Sequence, residues 1–203
     1  LSDAVRVAAA EALAFLNEYS ASKALLNVLK DENPEVRKYA LSSLDSKDQE
    51  VFDKLIHTLQ YGTLEERKGA IEALGNSENP KALQPLVDIL TNKDENIIIR
   101  ISAAWALSYL DDPDAVEPLI KTLKDESDDL RDAVSSALEI YSDKRSTNAL
   151  IEALKDEYEF VRSQACHALG NIGDPKSIEP IKKLLKDEDK YVRSVAKEAL
   201  KKF

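Results

Sequence analysis

The chain has 203 residues, of which 43% are hydrophobic and 33% are charged, and its formal net charge is −10. So acidic a surface repels phosphate backbones, which argues against nucleic-acid binding and favours basic partners. A single cysteine excludes an intramolecular disulfide framework, and no apolar run reaches the roughly 20 residues of a membrane span. We therefore expect a cytoplasmic protein without a membrane segment.

One sequence unit recurs along the chain. It reads LKDENPEVRKYALSSL from Leu29, LKDESDDLRDAVSSAL from Leu123, LKDEYEFVRSQACHAL from Leu154 and LKDEDKYVRSVAKEAL from Leu185. An arginine within the unit returns every 30 to 33 residues. A fixed period of this size is typical of a solenoid with one helix pair per repeat. Second helices are predicted to start near these arginines: Arg6, Arg37, Arg67, Arg100, Arg131, Arg162 and Arg193.

The predicted elements begin with a lone second helix, since the opening stretch AVRVAAAEALAFL matches the repeat and is interrupted by charges, unlike a signal peptide. About six helix pairs follow it, which makes thirteen helices in one all-α superhelix over residues 1–203. Several first helices start at a capping residue followed by proline, which suits the first helical position. These starts are Asn79-Pro80, Asp112-Pro113 and Asp174-Pro175.

A second proline follows five residues later in three first helices and should bend or restart them, because proline lacks an amide donor. These prolines are Pro85, Pro118 and Pro180. Second helices carry apolar residues one before the arginine and three, six, seven and ten after it, a spacing that predicts a core face. In the copy at Arg162 these are Val161, Ala165, Ala168, Leu169 and Ile172.

An aspartate stands six residues before the arginine in five of the repeats, whereas the copy at Arg67 has Tyr61 there. Carboxylate and guanidinium groups at this spacing can hydrogen-bond within a repeat and to the neighbouring repeat. Because the pair recurs layer after layer, it indicates a structural ladder rather than a catalytic site. The predicted ladder residues are Asp31, Arg37, Asp94, Arg100, Asp125, Arg131, Asp156, Arg162, Asp187 and Arg193.

The repeat resembles the HEAT repeat, and more narrowly the phycobilisome-lyase HEAT-like subgroup. The stretches DPDAVEPLIKTLKD from Asp112, DPKSIEPIKKLLKD from Asp174 and VRSQACHALGNIG from Val161 carry this resemblance. It implies a HEAT-like α-α solenoid whose second helices line the concave side. For function it implies little, because such repeats occur in scaffolds, enzyme-associated chaperones and a few enzymes.

One second helix differs from the others on the face that should meet solvent. Five residues after the arginine, six repeats have a polar residue and this one has Trp105, the chain's only tryptophan. Ile101 and Tyr109 extend it into an i, i+4, i+8 stripe, which a helical wheel places about 145° from the core direction. An exposed stripe of this kind indicates a binding hot spot. The alternative is that this repeat is repacked and the tryptophan covers a neighbouring helix.

Polar residues are predicted to flank the stripe along the same groove. Lys38 and Lys68 lie on its N-terminal side, and Asp132 and His167 on its C-terminal side. The predicted partner is a protein or peptide segment with a basic end and an apolar anchor.

Sequence signatures of catalytic and metal-binding sites are weak in this chain. His57 and His167 fall in different repeats, and neither has the His-Glu pairing by which the HEAT-like deoxyhypusine hydroxylases bind iron. Acidic clusters lack calcium-loop spacing, and the basic groove of HEAT-like DNA glycosylases is missing. Cys166 lies on a predicted core face and is interpreted as an inert thiol. We expect no cofactor and no metal.

Two functional hypotheses therefore remain open. The first is a non-catalytic scaffold that binds a protein segment in its concave groove. The second, implied by the resemblance, is an accessory subunit of a bilin lyase or a similar cofactor-attachment system.

Overall fold

The computed structural model describes residues 2–16, 25, 28–29, 31–33, 35–37, 40, 44, 48–77 and 79–203. Eleven α-helices lie within these residues, and short 3-10 helices separate several of them. The helices are α1 (Asp3–Leu16), α2 (Gln49–Tyr61), α3 (Leu64–Gly75), α4 (Leu83–Thr91), α5 (Ile97–Leu110), α6 (Val116–Thr122), α7 (Asp128–Tyr141), α8 (Thr147–Ala153), α9 (Glu159–Ile172), α10 (Ile178–Lys183) and α11 (Lys190–Leu200). This all-helical architecture confirms the predicted fold class.

The helices stack in chain order. Each first helix packs on the second helix of its own repeat, as α2 does on α3 and α4 on α5, and the second helices α3, α5, α7, α9 and α11 pack one on the next. The apolar positions predicted from the copy at Arg162 are all buried. The core is therefore a continuous layer between the two rows of helices.

The second helices begin three residues before the arginine rather than at it. Thr63, Asn96, Ser127 and Asp189 cap four of these helices through side-chain oxygens that accept hydrogen bonds from first-turn N–H groups. The arginine therefore sits in the first turn, where its side chain can turn back to the preceding loop.

First helices start as predicted, with Asn79, Asp112 and Asp174 accepting a hydrogen bond from the N–H group two residues later. A 3-10 turn follows, and the α-helix starts two residues before Pro85, Pro118 or Pro180. The same break occurs at Lys144–Ser146, where Ala149 replaces the proline. The 3-10 turn therefore does not depend on the proline, which instead occupies a first-turn position that needs no amide donor.

Ion pairs join one layer to the next. Five arginines reach a carboxylate in the loop of the following repeat, and Arg131 also donates to two backbone carbonyls of its own loop, Asp125 O and Glu126 O. The interlayer pairs are Arg6–Asp31 at 2.8 Å, Arg67–Glu95 at 3.0 Å, Arg100–Asp125 at 2.7 Å, Arg131–Asp156 at 2.7 Å and Arg162–Asp187 at 2.9 Å. Arg37 and Arg193 donate to the carbonyls of their own loops.

Asp94 is an exception to the predicted ladder. The carboxylate that accepts from Arg67 belongs to Glu95, while Asp94 is exposed and its N–H donates to Asn92 Oδ1. The cause is the longer first helix of this repeat, since α4 has nine residues where α6 and α8 have seven. The extra residues change where the loop leaves the helix, and the longer glutamate at the next position reaches the arginine.

Candidate functional site

A groove of about 390 Å³ lies between α3 and α5. Its floor is apolar and its rim is polar, and it contains the tryptophan singled out in the sequence. The lining residues are Lys68, Ile71, Glu72, Asn76, Ser102, Trp105, Ala106 and Tyr109. We call this surface the Trp105 groove.

The predicted stripe divides into two parts. Ile101 and Trp105 are half-buried and pack against the core, whereas Tyr109 is 59% exposed. A helical wheel considers one helix alone and places Trp105 toward solvent, whereas in the stack the residue is half-buried and packs against the core. Trp105 therefore both contributes to packing and forms one wall of the groove.

Charges around the groove are mostly negative. Lys68 is engaged by Glu65 at 3.3 Å within the first turn of α3, and Glu72 is exposed on the next turn. Tyr109 also borders a second depression of about 510 Å³, whose wall includes Asp111 and Asp112. A basic group approaching Tyr109 would thus meet carboxylates on two sides.

Among the other predicted partner residues, Asp132 and His167 do not line the groove. Asp132 is half-buried on α7, and its Oδ1 is buried with no hydrogen-bond partner among the described residues. Burial, followed by the charge of Asp129, raises the pKa of the Asp132 carboxyl. His167 is half-buried on α9, and Lys38 lies outside the described residues.

Between these positions the exposed face of α7 and α9 is polar and internally bonded. Gln164 Nε2 donates to Ser136 Oγ at 2.7 Å, and Asn171 Nδ2 donates to Glu139 Oε1 at 2.9 Å. Ser136 is buried although its counterpart in α5 is Trp105. The apolar character of the Trp105 groove does not continue into this layer.

Sequence reasoning missed a row of exposed apolar residues two positions before the arginine. Ile98, Phe160 and Tyr191 occupy this position with exposures of 45%, 46% and 53%. The sequence carries this signal, because the seven copies of the position are Ala4, Glu35, Glu65, Ile98, Asp129, Phe160 and Tyr191, and three of them are large apolar residues.

We find no cluster of potential nucleophiles or metal ligands in the described part of the chain. Burial raises the pKa of the Cys166 thiol to about 12, so the sulfur is held in the unreactive form. No cluster of histidine, cysteine and carboxylate side chains among the described residues is placed to hold a metal ion. None of the described helices is long and apolar enough to cross a membrane.

Comparison with known proteins identifies the repeat. The family model of HEAT repeats matches residues 1–68, 22–98, 52–139, 89–163 and 119–201, which together reach from 1 to 201. No curated protein matches the chain.

Among solved structures, the CpcE and CpcF complex of phycocyanin lyase from Nostoc sp. PCC7120 is 26% identical over 74% of this chain, with a TM-score of 0.65. The match covers 64% of that chain, which is less than two thirds of its length.

Two further structures show the same fold. Human deoxyhypusine hydroxylase in complex with glycerol is 22% identical, with 99% of this chain and 80% of that chain covered and a TM-score of 0.54. A designed armadillo repeat protein in complex with the peptide (KR)4 is 19% identical, with 95% and 98% covered and a TM-score of 0.59. With the family model spanning nearly every residue and a phycocyanin lyase among the similar structures, the chain belongs to the HEAT-repeat family and resembles its phycobilisome-lyase subgroup.

Proposed function

We propose that this chain is a non-catalytic, cytoplasmic scaffold that binds a segment of another protein in the Trp105 groove. Residues 1–203 would act as one continuous solenoid, with second helices lining the concave side as in the family.

The main support is the contrast between Trp105 and its counterparts in the other layers. The equivalent described positions are Glu11, Glu72, Ser136, His167 and Glu198, so the indole ring is specific to one layer. A residue needed only for stacking would recur with the repeat, whereas a residue used for binding need not. Tryptophan and tyrosine are the residues most enriched among binding hot spots.

The surroundings of the groove favour a basic partner. Lys68 is already paired with Glu65, while Glu72, Asp111 and Asp112 border Tyr109 and its two depressions. The net charge of −10 acts in the same direction and would speed association with a basic segment. The segment would place an apolar side chain against Trp105 and a lysine or arginine near the acids.

A test begins with a pull-down from the native host and ends with the purified partner. Tyr109→Ala removes an exposed ring of the groove, and Tyr61→Ala removes a ring on α2 that is still more exposed, at 73% against 59%. We expect Tyr109→Ala to weaken the measured Kd at least about tenfold, with Tyr61→Ala unchanged. Equal binding by both variants would reject the groove as the site.

A second candidate function is an accessory role in bilin attachment, and the similarity to the phycocyanin lyase complex favours it. In that case a bilin would contact the same groove and change its visible absorption on mixing with the protein. Spectral titration with free phycocyanobilin distinguishes the two, since a scaffold for protein segments leaves the spectrum unaltered.

A further inference from the structure

The exposed residues two positions before each arginine form a regular row across four layers. Ile98, Asp129, Phe160 and Tyr191 are each 31 residues apart, one per second helix from α5 to α11. We call them the rim row, because they lie at the N-terminal ends of these helices. Three of the four are exposed apolar side chains.

The rim row faces the same side of the solenoid as the Trp105 groove. At about 100° per residue, positions two before, five after and nine after the arginine lie within about 40° of one another on the helix. The row is nevertheless separate from the groove, whose lining does not include any of its four residues.

The spacing of the row follows from helix packing. Consecutive second helices pack directly on one another, and packed helices are about 8 to 10 Å apart. Four layers therefore present side chains at intervals of about 10 Å over roughly 30 Å.

The aromatic part of the row is held in a fixed position. The rings of Phe160 and Tyr158 are 5.2 Å apart with an interplanar angle of 51°, a geometry that is favourable for aromatic pairs. Tyr158 is half-buried and packs against the core. Phe160 thus rests on a supported ring and leaves its outer face open.

The acidic member of the row lies in a cluster of three aspartates on α7. Asp128, Asp129 and Asp132 share one face of the first turns of α7, and no cation of the described residues forms a salt bridge with any of them. The half-buried Asp132 leaves one carboxylate oxygen without a hydrogen bond. Burial raises the pKa of Tyr158, and the nearby charges of Asp129, Asp128 and Asp132 raise it further.

We propose that the rim row is a docking surface for an amphipathic helix of a partner protein. The helix would present apolar, basic, apolar and apolar side chains in that order, opposite Ile98, Asp129, Phe160 and Tyr191. The basic side chain would lie beside the acids of α7, which form no salt bridge within the described residues.

A helix suits the row better than a β-strand does. Seven residues of α-helix rise about 10.5 Å and complete nearly two full turns, so residues about seven apart point to the same side at the spacing of the layers. Residues three apart in a β-strand are separated by a similar distance, but their side chains point to opposite faces, so they cannot all contact the row.

This inference concerns other residues than the Trp105 groove and can fail separately from it. The probe is a synthetic alanine-rich helix with three leucines and one arginine at intervals of about seven residues, with the arginine second in order. Binding is measured by fluorescence anisotropy of the labelled peptide with the full chain. Tyr109→Ala should leave this binding unchanged.

We expect Phe160→Ala and Asp129→Lys each to weaken binding about tenfold. Exchanging the peptide arginine for glutamate should restore binding to the Asp129→Lys variant and to no other. Glu117→Lys is the matched control, since Glu117 is an exposed acid on the outer helix α6. The control variant should bind like the unaltered chain.

Three results would overturn the proposal. One is that Glu117→Lys weakens binding as much as Asp129→Lys, which would reduce the effect to net charge. Another is equal binding of a peptide with the arginine moved to the first position, which lies opposite Asp129 in neither direction of the helix. The last is equal binding of a peptide with the same leucines and arginine but with prolines in place of internal alanines, which cannot form the helix.

Discussion

Arg131 donates two hydrogen bonds to the carboxylate of Asp156, from Nε at 2.7 Å and from Nη2 at 2.8 Å. Because the two residues belong to consecutive repeats, this bidentate pair fastens one layer to the next. The side chains are only 9% and 12% exposed. Removing either partner would leave a charge in a largely dry environment.

Asp156→Ala should therefore lower the free energy of unfolding by about 3 kcal/mol, as breaking a buried ion pair generally does. Urea denaturation followed by circular dichroism measures the loss. The control is Glu152→Ala, which removes a surface pair with Lys155 at 2.9 Å and should cost far less, because exposed ion pairs contribute little to stability. Similar losses in both variants would show that the interlayer pair contributes no more than a surface one.

The same pairs make stability depend on acid. Burial alone would raise the pKa of the Asp156 carboxyl, but hydrogen bonds from Arg131 and the Tyr158 N–H outweigh it and lower the pKa. The pKa values of Asp125 and Asp187 are lowered in the same way. A carboxyl whose pKa is lower in the folded state stabilises the protein above its unfolded pKa of about 4 and loses this contribution as pH falls.

We therefore expect the free energy of unfolding to change little from about pH 7 to about pH 5 and to fall steeply below about pH 4. Urea titrations at intervals of pH measure this profile. Asp156→Asn should be less stable at neutral pH and show a shallower acid slope, since one linked proton is removed. An unchanged slope would contradict the assignment of the acid sensitivity to these carboxylates.

Trp105 and Tyr109 should differ in their effect on stability. Trp105 packs partly against the core, so Trp105→Ala should cost about 2 kcal/mol, less than the loss of a fully buried ring. Tyr109 is mostly exposed, and Tyr109→Ala should change stability by less than about 0.5 kcal/mol. Thermal denaturation separates the two, and equal melting temperatures would mean that the indole adds nothing to packing.

Three helices end on a residue with positive φ, at the same place in successive repeats: Asp111 with 54°, Ser142 with 48° and Gly173 with 66°. Only glycine adopts this conformation without steric cost. Asp111→Gly should stabilise the chain by about 1 kcal/mol, and it also removes a negative charge from a helix C-terminus. Chemical denaturation measures the gain.

Gly173→Asp is the reciprocal change and should destabilise the chain by about 1 kcal/mol. A Cβ added at Gly173 meets nothing within 4 Å, so the cost comes from the backbone rather than from a clash. If both substitutions changed stability in the same direction, backbone strain would not be the cause.

Much of the fold could be predicted from periodicity because each repeat solves the same packing problem. The apolar positions around Arg162 are buried, and the caps at Asn79, Asp112 and Asp174 form as their residue types indicate. Burial of these positions and formation of these caps depend on residues close together in the sequence, so the sequence of one repeat is sufficient to predict them.

The features that depend on neighbouring layers were predicted less well. Asp94 has the correct spacing from Arg100, yet Glu95 makes the ion pair, because the longer α4 changes the path of the loop. The geometry of one helix leaves open whether Trp105 meets solvent or covers a neighbouring helix, and in the structure the residue is half-buried and packs against the core. Neither outcome is encoded in the spacing within a single repeat.

Cys166 is completely buried on α9, and it is the chain's only cysteine. A thiol reagent in solvent can reach its sulfur only when the surrounding layers separate. The rate at which a reagent modifies Cys166 therefore reports how often the helix layers around it open. The protein carries a built-in chemical reporter that needs no engineered label.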